Sequence, residues 1–312
     1  MTGKSASVFI DGEAGTTGLE IRERLAALPA IEVKSIAADK RRDAKARQAL
    51  MAEADLIVLC LPDDAAKEAV ALASELGERA PKIVDASTAH RVADGWAYGF
   101  PELDRDQEAK VRTAKRVANP GCYPTGAIAL VRPLVDAGYI PADFPISVNA
   151  VSGYSGGGKS MIESYEASKT APAFELYGLS LEHKHVPELM RYTGLTRRPI
   201  FVPSVGNFRQ GMLVSVPLHL DLLTGRPSAK DLEAVLAKHY ADAALVRVVP
   251  SSEIATSGGR IDALALNKTD KLELCVFANE SYRHAVLVAR LDNLGKGAAG
   301  AAVQNIKLML GV

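Results

Sequence analysis

Short apolar runs alternate with helix-spaced apolar residues through the first part of the chain. Ser7-Val8-Phe9-Ile10-Asp11 is an apolar run ended by Gly12, and a helical stretch follows from Leu19 to Leu28. Glu32-Val33-Lys34-Ser35-Ile36-Ala37 reads as a second strand, with its end at Asp39. Leu56-Ile57-Val58-Leu59-Cys60-Leu61 is continuously apolar, as in a strand buried on both faces, and Pro62 stops it. Ala66, Ala69, Val70 and Ala73 then fall at i, i+3, i+4 and i+7, the spacing of one helix face. Lys82-Ile83-Val84-Asp85 is a further strand. Strands of this kind separated by helices predict an α/β domain, a Rossmann-like parallel sheet covered on both faces.

From about Ile146 the texture changes. Ile146-Ser147-Val148-Asn149-Ala150-Val151, Pro199-Ile200-Phe201-Val202, Met212-Leu213-Val214-Ser215-Val216 and Leu272-Glu273-Leu274-Cys275-Val276 look like strands of a second, mixed sheet. A helix from about Gly297 to Leu310 closes the chain. These patterns predict a second, α+β domain, with the boundary near residue 145.

Composition narrows the classes. The 312 residues suffice for about two domains and a large core without staples. With 37 acidic and 37 basic residues the formal charge is zero, which argues against a broad basic face for nucleic acid. Cys60, Cys122 and Cys275 are too few and too scattered for a disulfide framework or a cysteine-rich zinc site, so a reducing, cytoplasmic setting is expected. No apolar run precedes the first strand beyond Lys4, so no signal peptide is expected. The 56–61 run is too short to span a bilayer, and no membrane partner is expected.

Two glycine-rich segments compete for a phosphate. Gly12-Glu13-Ala14-Gly15-Thr16-Thr17-Gly18 follows the first strand and opens the first helix. Glycines there let backbone approach a pyrophosphate, and the helix N-terminus supplies donors. Asp39 suits a ribose hydroxyl, whereas Lys40, Arg41 and Arg42 suit the 2′-phosphate of NADP, which is the expected cofactor; a solvated charged loop is the plain alternative. Gly153-Tyr154-Ser155-Gly156-Gly157-Gly158-Lys159-Ser160 matches the P-loop pattern letter for letter and raises a nucleotide-hydrolysing or phosphotransferase reading. Against it stand the phosphate turn already present upstream and the lack of a clear apolar strand ending in a magnesium-binding Asp. Such a loop, with one Lys and two Ser residues, can instead hold an acyl phosphate.

Asn119-Pro120-Gly121-Cys122-Tyr123-Pro124-Thr125 puts a thiol at the mouth of a helix, because Pro124 suits a first helical turn and Gly126 to Val131 continue helically. Partial positive charge at a helix N-terminus favours thiolate, the nucleophilic form. A buried cysteine beside a Pro/Gly turn is the plain alternative. Cys60 and Cys275 lie within apolar strand patterns and are expected to be inert.

In Glu182-His183-Lys184-His185-Val186-Pro187-Glu188, Val186 precedes proline and is biased to extended backbone, with a helix expected over Glu188 to Tyr192. Residues two apart in an extended segment face one side, so His183 and His185 can address one site. Acid–base work beside a thiolate is the preferred role, with His185 chosen as the proton carrier because it lies nearer the bend at Pro187. A zinc-binding H-x-H pair and a pair of surface histidines are the alternatives, and no metal is expected. Arg209 can hold a carboxylate or phosphate bidentately, or form a surface salt bridge.

Taken together, these residues resemble N-acetyl-γ-glutamyl-phosphate reductase of arginine biosynthesis in its short, type 2 form. The resemblance runs over nearly the whole chain. It is strongest at 119–125, at the Gly12 to Gly18 turn, at Phe100-Pro101-Glu102-Leu103, at His183-Lys184-His185-Val186-Pro187-Glu188, and at Asp292-Asn293-Leu294-Gly295-Lys296-Gly297-Ala298. It implies that Cys122 is the nucleophile, that one histidine is the acid–base, and that NADP is the cofactor. It also implies that the closing helix returns to the first domain, giving an NADP-binding domain of 1–145 plus 290–312 and a catalytic and oligomerisation domain of 146–289. Ser87 and Asn293 join Gly12, Gly15, Thr16, Thr17, Gly18 and the basic cluster on the cofactor. Ser155, Lys159, Glu188 and Arg209 are expected on the substrate. A homo-oligomer, dimer or tetramer, is expected. Thr16-Thr17, where longer members usually carry an aromatic, and the glycine-rich 153–160 loop depart from the pattern. Aspartate-semialdehyde dehydrogenase and a reductase of amino-adipyl phosphate share the machinery, and a cofactor-binding regulatory protein without activity is the rival from another class.

Overall fold

The structure is a computed structural model that describes residues 5–168 and 170–312; Lys4, on which the leader expectation partly rests, lies outside the described residues. Among the described residues the chain forms two compact units: Met1–Pro101, Arg105–Gly121 and Ala298–Val312 in one, Glu102–Asp104 and Cys122–Gly297 in the other.

The first unit runs β1 (Ala6–Asp11), α1 (Thr16–Ala26), β2 (Ile31–Lys34), α2 (Ala44–Glu53), β3 (Leu56–Leu59), α3 (Asp63–Ser74), β4 (Lys82–Asp85), β5 (Ala97–Tyr98), α4 (Gln107–Thr113) and β6 (Arg116–Ala118). All strand pairs are parallel, in the order β2-β1-β3-β4-β6-β5. Alternate residues of each strand face opposite layers. Val8, Ile10, Val58 and Val84 bury against Ile21, Leu25, Ala302 and Ile306, while Phe9, Ile57, Leu59 and Ile83 bury against Met51, Ala66, Ala69 and Ala73. Both faces are covered, as the continuous apolar runs required. The order reverses beside β1, which places a topological switch at the carboxyl end of that strand, where open parallel sheets bind ligands. The second strand is shorter than its pattern predicted. It ends at Lys34, and Asp39 lies in a 3-10 turn over Ala38–Lys40, so the charged cluster sits on a turn.

The second unit holds α5 (Cys122–Asp136), β7 (Ser147–Gly153), α6 (Gly158–Ala167), β8 (Phe174–Leu176), α7 (Val186–Thr193), β9 (Ile200–Gly206), β10 (Met212–His219), α8 (Ala229–His239), β11 (Val246–Val248), α9 (Ser251–Ile254), β12 (Leu272–Asn279) and β13 (His284–Leu291). Its sheet runs β11-β12-β13-β10-β7-β9-β8; β7 with β9 and β11 with β12 are parallel and the remaining pairs antiparallel. The almost wholly buried α5 packs on β10 and β13, flanked by α7 and α8. Residues 122–145, expected with the first domain, belong here. The cause is the apolarity of α5, which needs cover that this sheet and its helices provide. A π-turn over Gly295–Ala299 leads into α10 (Gly300–Leu310), which packs on α1 and α4 of the first unit.

A candidate active site around Cys122

In the first unit, Gly12 takes φ +91°, and a Cβ there would lie 2.3 Å from the Cys60 carbonyl oxygen. A Cβ on Gly18 would lie 2.5 Å from the Gly12 carbonyl oxygen. Both glycines are therefore needed for the turn to close on the strand and helix. Helix α1 starts at Thr16 with Gly15 as its N-cap, no side-chain cap and no acidic residue in its first turn. The first amides with intrahelical acceptors begin at Leu19, which donates to Gly15 at 2.9 Å, so the amides of Thr16, Thr17 and Gly18 have no partner within the helix. This donor set fits a pyrophosphate.

Around this turn the charges are organised. The buried Glu13 carboxylate lies 3.0 Å from Arg22 and 3.4 Å from Arg41, and accepts from Ser35 Oγ at 3.0 Å. Lys40 and Arg42 are exposed on the same turn as Arg41. Asp11, at the end of β1, is gripped by Arg47 at 2.6 Å. Burial pushes the Asp11 carboxyl above its usual range, with Arg47 opposing. Ser87 follows β4. Its hydroxyl donates to Asp85 Oδ2 at 2.8 Å, beside His90 Nδ1 at 2.6 Å from the same oxygen.

In the second unit, Cys122 is the first residue of α5 and is half-buried. The next side chain, Tyr123, donates from its hydroxyl to the Ser204 carbonyl at 3.0 Å and accepts from the Tyr177 hydroxyl at 3.2 Å. Burial first, and the Cys122 charge in addition, push the Tyr177 hydroxyl up to about 12, against the lowering effect of its bond to Tyr123. Tyr123 is raised by burial, Tyr177 and Cys122 in that order. Both phenols therefore stay protonated donors beside the thiol.

The two histidines complete the cluster. Their ring centroids lie 4.7 Å apart, at 6.1 Å (His183) and 6.0 Å (His185) from Tyr123; His183 also meets Tyr177 at 5.7 Å and Phe201 at 5.0 Å. They come together by a different route from the one the sequence predicted. The segment is a turn rather than extended; His185 is the N-cap of α7, with φ −85° and ψ −9°, and Val186 is already helical. Proline in the first helical turn is tolerated, and this outweighs the extended bias of the residue before it. The His185 amide donates to His183 Nδ1 at 3.1 Å, which leaves Nε2 as the proton-bearing nitrogen of a neutral His183. Glu188 lies buried in the first turn of α7.

The P-loop lookalike has a different wiring. The amides of Gly153, Tyr154 and Ser155 donate to the carbonyls of Gly211, Phe208 and Arg209 at 2.9, 2.9 and 3.0 Å, and the Gly158 amide bonds to Ser155. Lys159 is exposed, 3.7 Å from Glu163. A phosphate cradle needs those amides and a lysine folded back over them. Asn293 fastens the loop: its side-chain amide donates to Ser155 Oγ at 2.9 Å and its carbonyl accepts from the Gly211 amide at 2.8 Å. Ser155 and Asn293, expected on different ligands, thus bond to each other within this unit, and both are buried. Arg209, half-exposed, forms an ion pair with Glu166. Sequence reasoning missed Tyr177, whose place depends on a partner 54 residues away. Among the described residues no group of three or more His, Cys, Asp or Glu side chains is arranged to hold a metal ion, and no helix is long and apolar enough to cross a membrane.

Comparison with known proteins matches this division. Residues 7–111 fit the family model of the semialdehyde dehydrogenase NAD binding domain, and residues 122–293 that of the semialdehyde dehydrogenase dimerisation domain. That is the domain pair of the semialdehyde dehydrogenases. The fold is shared with aspartate semialdehyde dehydrogenase II of Vibrio cholerae, solved in complex with ASA, at a TM-score of 0.73, 15% identity and 99% coverage of both chains. It is shared also with aspartate semialdehyde dehydrogenase with NADP from Candida albicans, at a TM-score of 0.63 and 14% identity over 98% of this chain and 99% of that one. An N-acetyl-gamma-glutamyl-phosphate reductase of Chelativorans sp. (strain BNC1) is 52% identical over 309 residues, covering 98% of each chain. One from Brucella ovis is 55% identical over 309 residues, covering 97% of this chain and 98% of its own. The chain belongs to the N-acetyl-gamma-glutamyl-phosphate reductase family.

Proposed function

We propose that the chain reduces N-acetyl-γ-glutamyl phosphate to N-acetylglutamate semialdehyde, releasing phosphate, through a thioester on Cys122 and with NADPH as reductant. The observation that carries this reading is the convergence of His183, His185 and Tyr177 on Tyr123, the residue that follows Cys122 at the start of α5. Among acyl-phosphate reductases, the curated relatives at 52% and 55% identity favour the N-acetylglutamyl substrate over aspartyl phosphate, for which the likeness is one of fold at 15% identity.

The Cys122 thiolate attacks the acyl carbon; the C–S bond forms as the C–O bond to phosphate breaks, and the phosphate leaves with the electron pair. The Gly12 turn would hold the pyrophosphate of the reduced nicotinamide dinucleotide, which would supply hydride when bound. A thioester accepts hydride where a carboxylate does not, which is what covalent attachment achieves. Collapse of the reduced adduct returns the sulfur electron pair to Cys122 and frees the aldehyde. His185 carries the proton to and from the substrate oxygen, while His183, fixed by its Nδ1 bond to the His185 amide and packed on Tyr123, Tyr177 and Phe201, orients it. Tyr177 and Tyr123 give the thiol a hydrogen-bonded, uncharged wall.

Gly12, Gly15, Thr16, Thr17 and Gly18 hold the pyrophosphate, Lys40, Arg41 and Arg42 the 2′-phosphate, and Ser87 and Asn293 complete the cofactor contacts; an Asn293 contact needs one of its two internal bonds to exchange. Ser155, Lys159, Glu188 and Arg209 serve the substrate, with Arg209 exchanging Glu166 for its phosphate. The protein is the short, type 2 form, works in the cytoplasm, and forms a homodimer or homotetramer through residues of the dimerisation-domain match.

Cys122→Ser tests the mechanism. It should lower turnover by at least about 10³-fold while NADPH binding stays intact. The assay supplies NADP⁺, phosphate and N-acetylglutamate semialdehyde and follows reduced-nicotinamide absorbance. Turnover comparable to the parent in that variant sinks the thioester.

A further inference from the structure

Glu102 and Lys296, from two motifs singled out in the sequence, take no part in the chemistry above, and the structure joins them. Lys296 Nζ, from 292–298, lies 2.7 and 2.8 Å from the two carboxylate oxygens of Glu102, from 100–103. The lysine is 1% exposed and the Glu102 side chain 8%. A buried ion pair is weak evidence for stability, because desolvation of two charges offsets their attraction and apolar residues of similar volume often serve as well. Its value here lies in where it holds the backbone.

Lys296 stands between two glycines that are pressed on their surroundings. A Cβ on Gly295 would lie 2.0 Å from the Thr269 carbonyl oxygen, and one on Gly297 would lie 2.9 Å from Cys122 Cβ. The Gly297 amide donates to the Asp292 carbonyl at 3.0 Å, and the Asp292 carboxylate accepts from the amides of Leu294 at 2.9 Å and Lys268 at 2.7 Å. Glycine backbone is conformationally free, so the location of the 295–297 turn depends on its anchors, and Lys296 is its only side chain. Burial pulls the Lys296 pKa down, while Glu102 and then Asp270 oppose that. The Glu102 carbonyl in turn lies 3.3 Å from His239 Nε2.

We propose that the Glu102–Lys296 ion pair is a positioning device for the nucleophile: it seats the Gly297 backbone against Cys122 and so fixes the direction from which the sulfur reaches the acyl carbon. This rests on the thioester reading. The pair touches no substrate and acts through the Gly295-Lys296-Gly297 turn.

The test uses the full chain and two readouts: alkylation of Cys122 by iodoacetamide, followed peptide by peptide in a mass spectrometer, and kcat with KM in the semialdehyde assay. Lys296→Met alone leaves Glu102 buried without its cation, so it is paired with Glu102→Leu to restore an apolar filling. The double variant should melt within about 3 °C of the parent. It should alkylate Cys122 about 10- to 100-fold more slowly and lose kcat by a similar factor, with KM for NADP⁺ changed less than about twofold. A well-folded double variant with parental alkylation rate and kcat overturns the proposal, since the pair is then structural alone. If the double variant does not fold, Glu102→Asp keeps both charges but shortens the reach by one methylene; several-fold slower alkylation supports the proposal, and an unchanged rate overturns it. Should Cys122 of the parent alkylate no faster than Cys275, the thioester reading itself fails and takes the positioning role with it.

Discussion

The Gly12–Gly18 and Gly153–Ser160 segments are made of the same ingredients and do opposite things with them. Each follows a strand and opens a helix, and the second fits the better-known phosphate pattern letter for letter. In the first, glycines bring the turn close to the Cys60 carbonyl and leave the amides of Thr16, Thr17 and Gly18 without helical acceptors. In the second, a Cβ on Gly153 would lie 2.6 Å from the Arg209 backbone, and the adjacent amides are already bonded to the 208–211 segment. Glycine permits close approach in both cases; what approaches differs. A phosphate motif is thus defined by where its N–H groups go, a property the letters carry only in part.

The sharpest way to break this comparison is to add one methyl group to each loop. Gly12→Ala puts a Cβ into the Cys60 carbonyl at φ +91°, whereas Gly158→Ala, at φ +73°, meets nothing within 4 Å. The first should cost about 3–5 kcal/mol of stability, and the second about 1–3 kcal/mol, the cost of a φ/ψ region (φ +73°, ψ −166°) open essentially to glycine alone. Urea melts read both, and titration with NADPH should show affinity lost only in the Gly12 variant. Equal losses of affinity would make the first turn no more a cofactor site than the second.

Each loop also has its cations, and exchanging those is the next test. Neutralising Lys40, Arg41 and Arg42 together should weaken NADPH by about 10-fold or more relative to NADH, because one cofactor carries an extra phosphate for arginine to grip. Glu13 keeps Arg22 at 3.0 Å and Ser35 at 3.0 Å, so it is not stranded by loss of Arg41. Lys159→Ala should leave both cofactor affinities unchanged and reveal no magnesium-dependent ATP hydrolysis to lose. Equal weakening of NADPH and NADH would return the basic cluster to a solvated loop, and ATP turnover that depends on Lys159 would restore the P-loop.

How much of this was legible in the sequence follows from the same logic. Strands buried on both faces print themselves as unbroken apolar runs, so 7–11, 56–61 and 82–85 were readable, and Pro124 marked the start of the helix that carries Cys122. The central strand His284–Leu291 was not singled out. Ala285, Leu287, Ala289 and Leu291 are buried on one face, while the other carries the buried Val288 beside an exposed Val286, so apolar residues on both faces mask the alternation. The pairing of His183 with His185 was foreseen, but on a strand-like geometry; the turn that makes it depends on the N-cap of α7. Tyr177, the Asn293–Ser155 bond and the Glu102–Lys296 pair were invisible for one reason. Each joins residues far apart in the chain, and no local pattern specifies that contact.

The smallest expected effect lies beneath the first loop. The Cys60 amide donates to the Asp11 carbonyl at 2.8 Å, and the thiol is pushed from 9.0 up to about 12, first by burial and then by Asp85 and Asp11. The folded value therefore lies above the unfolded one. Stability from the protonated thiol is fully present below pH 9, and it is lost as pH rises from there towards 12, because only the unfolded chain ionises readily in that window. Between pH 8 and pH 10 the loss should be about 1 kcal/mol. Cys60→Ala should lower stability at neutral pH for packing reasons, but its urea midpoint should then fall less steeply than the parent's over the same two pH units. Parallel slopes would mean that the thiol ionises as easily folded as unfolded. The ground beneath the Gly12 turn would then not resist negative charge, and an anion would have no reason to prefer the amide side of the loop over its floor.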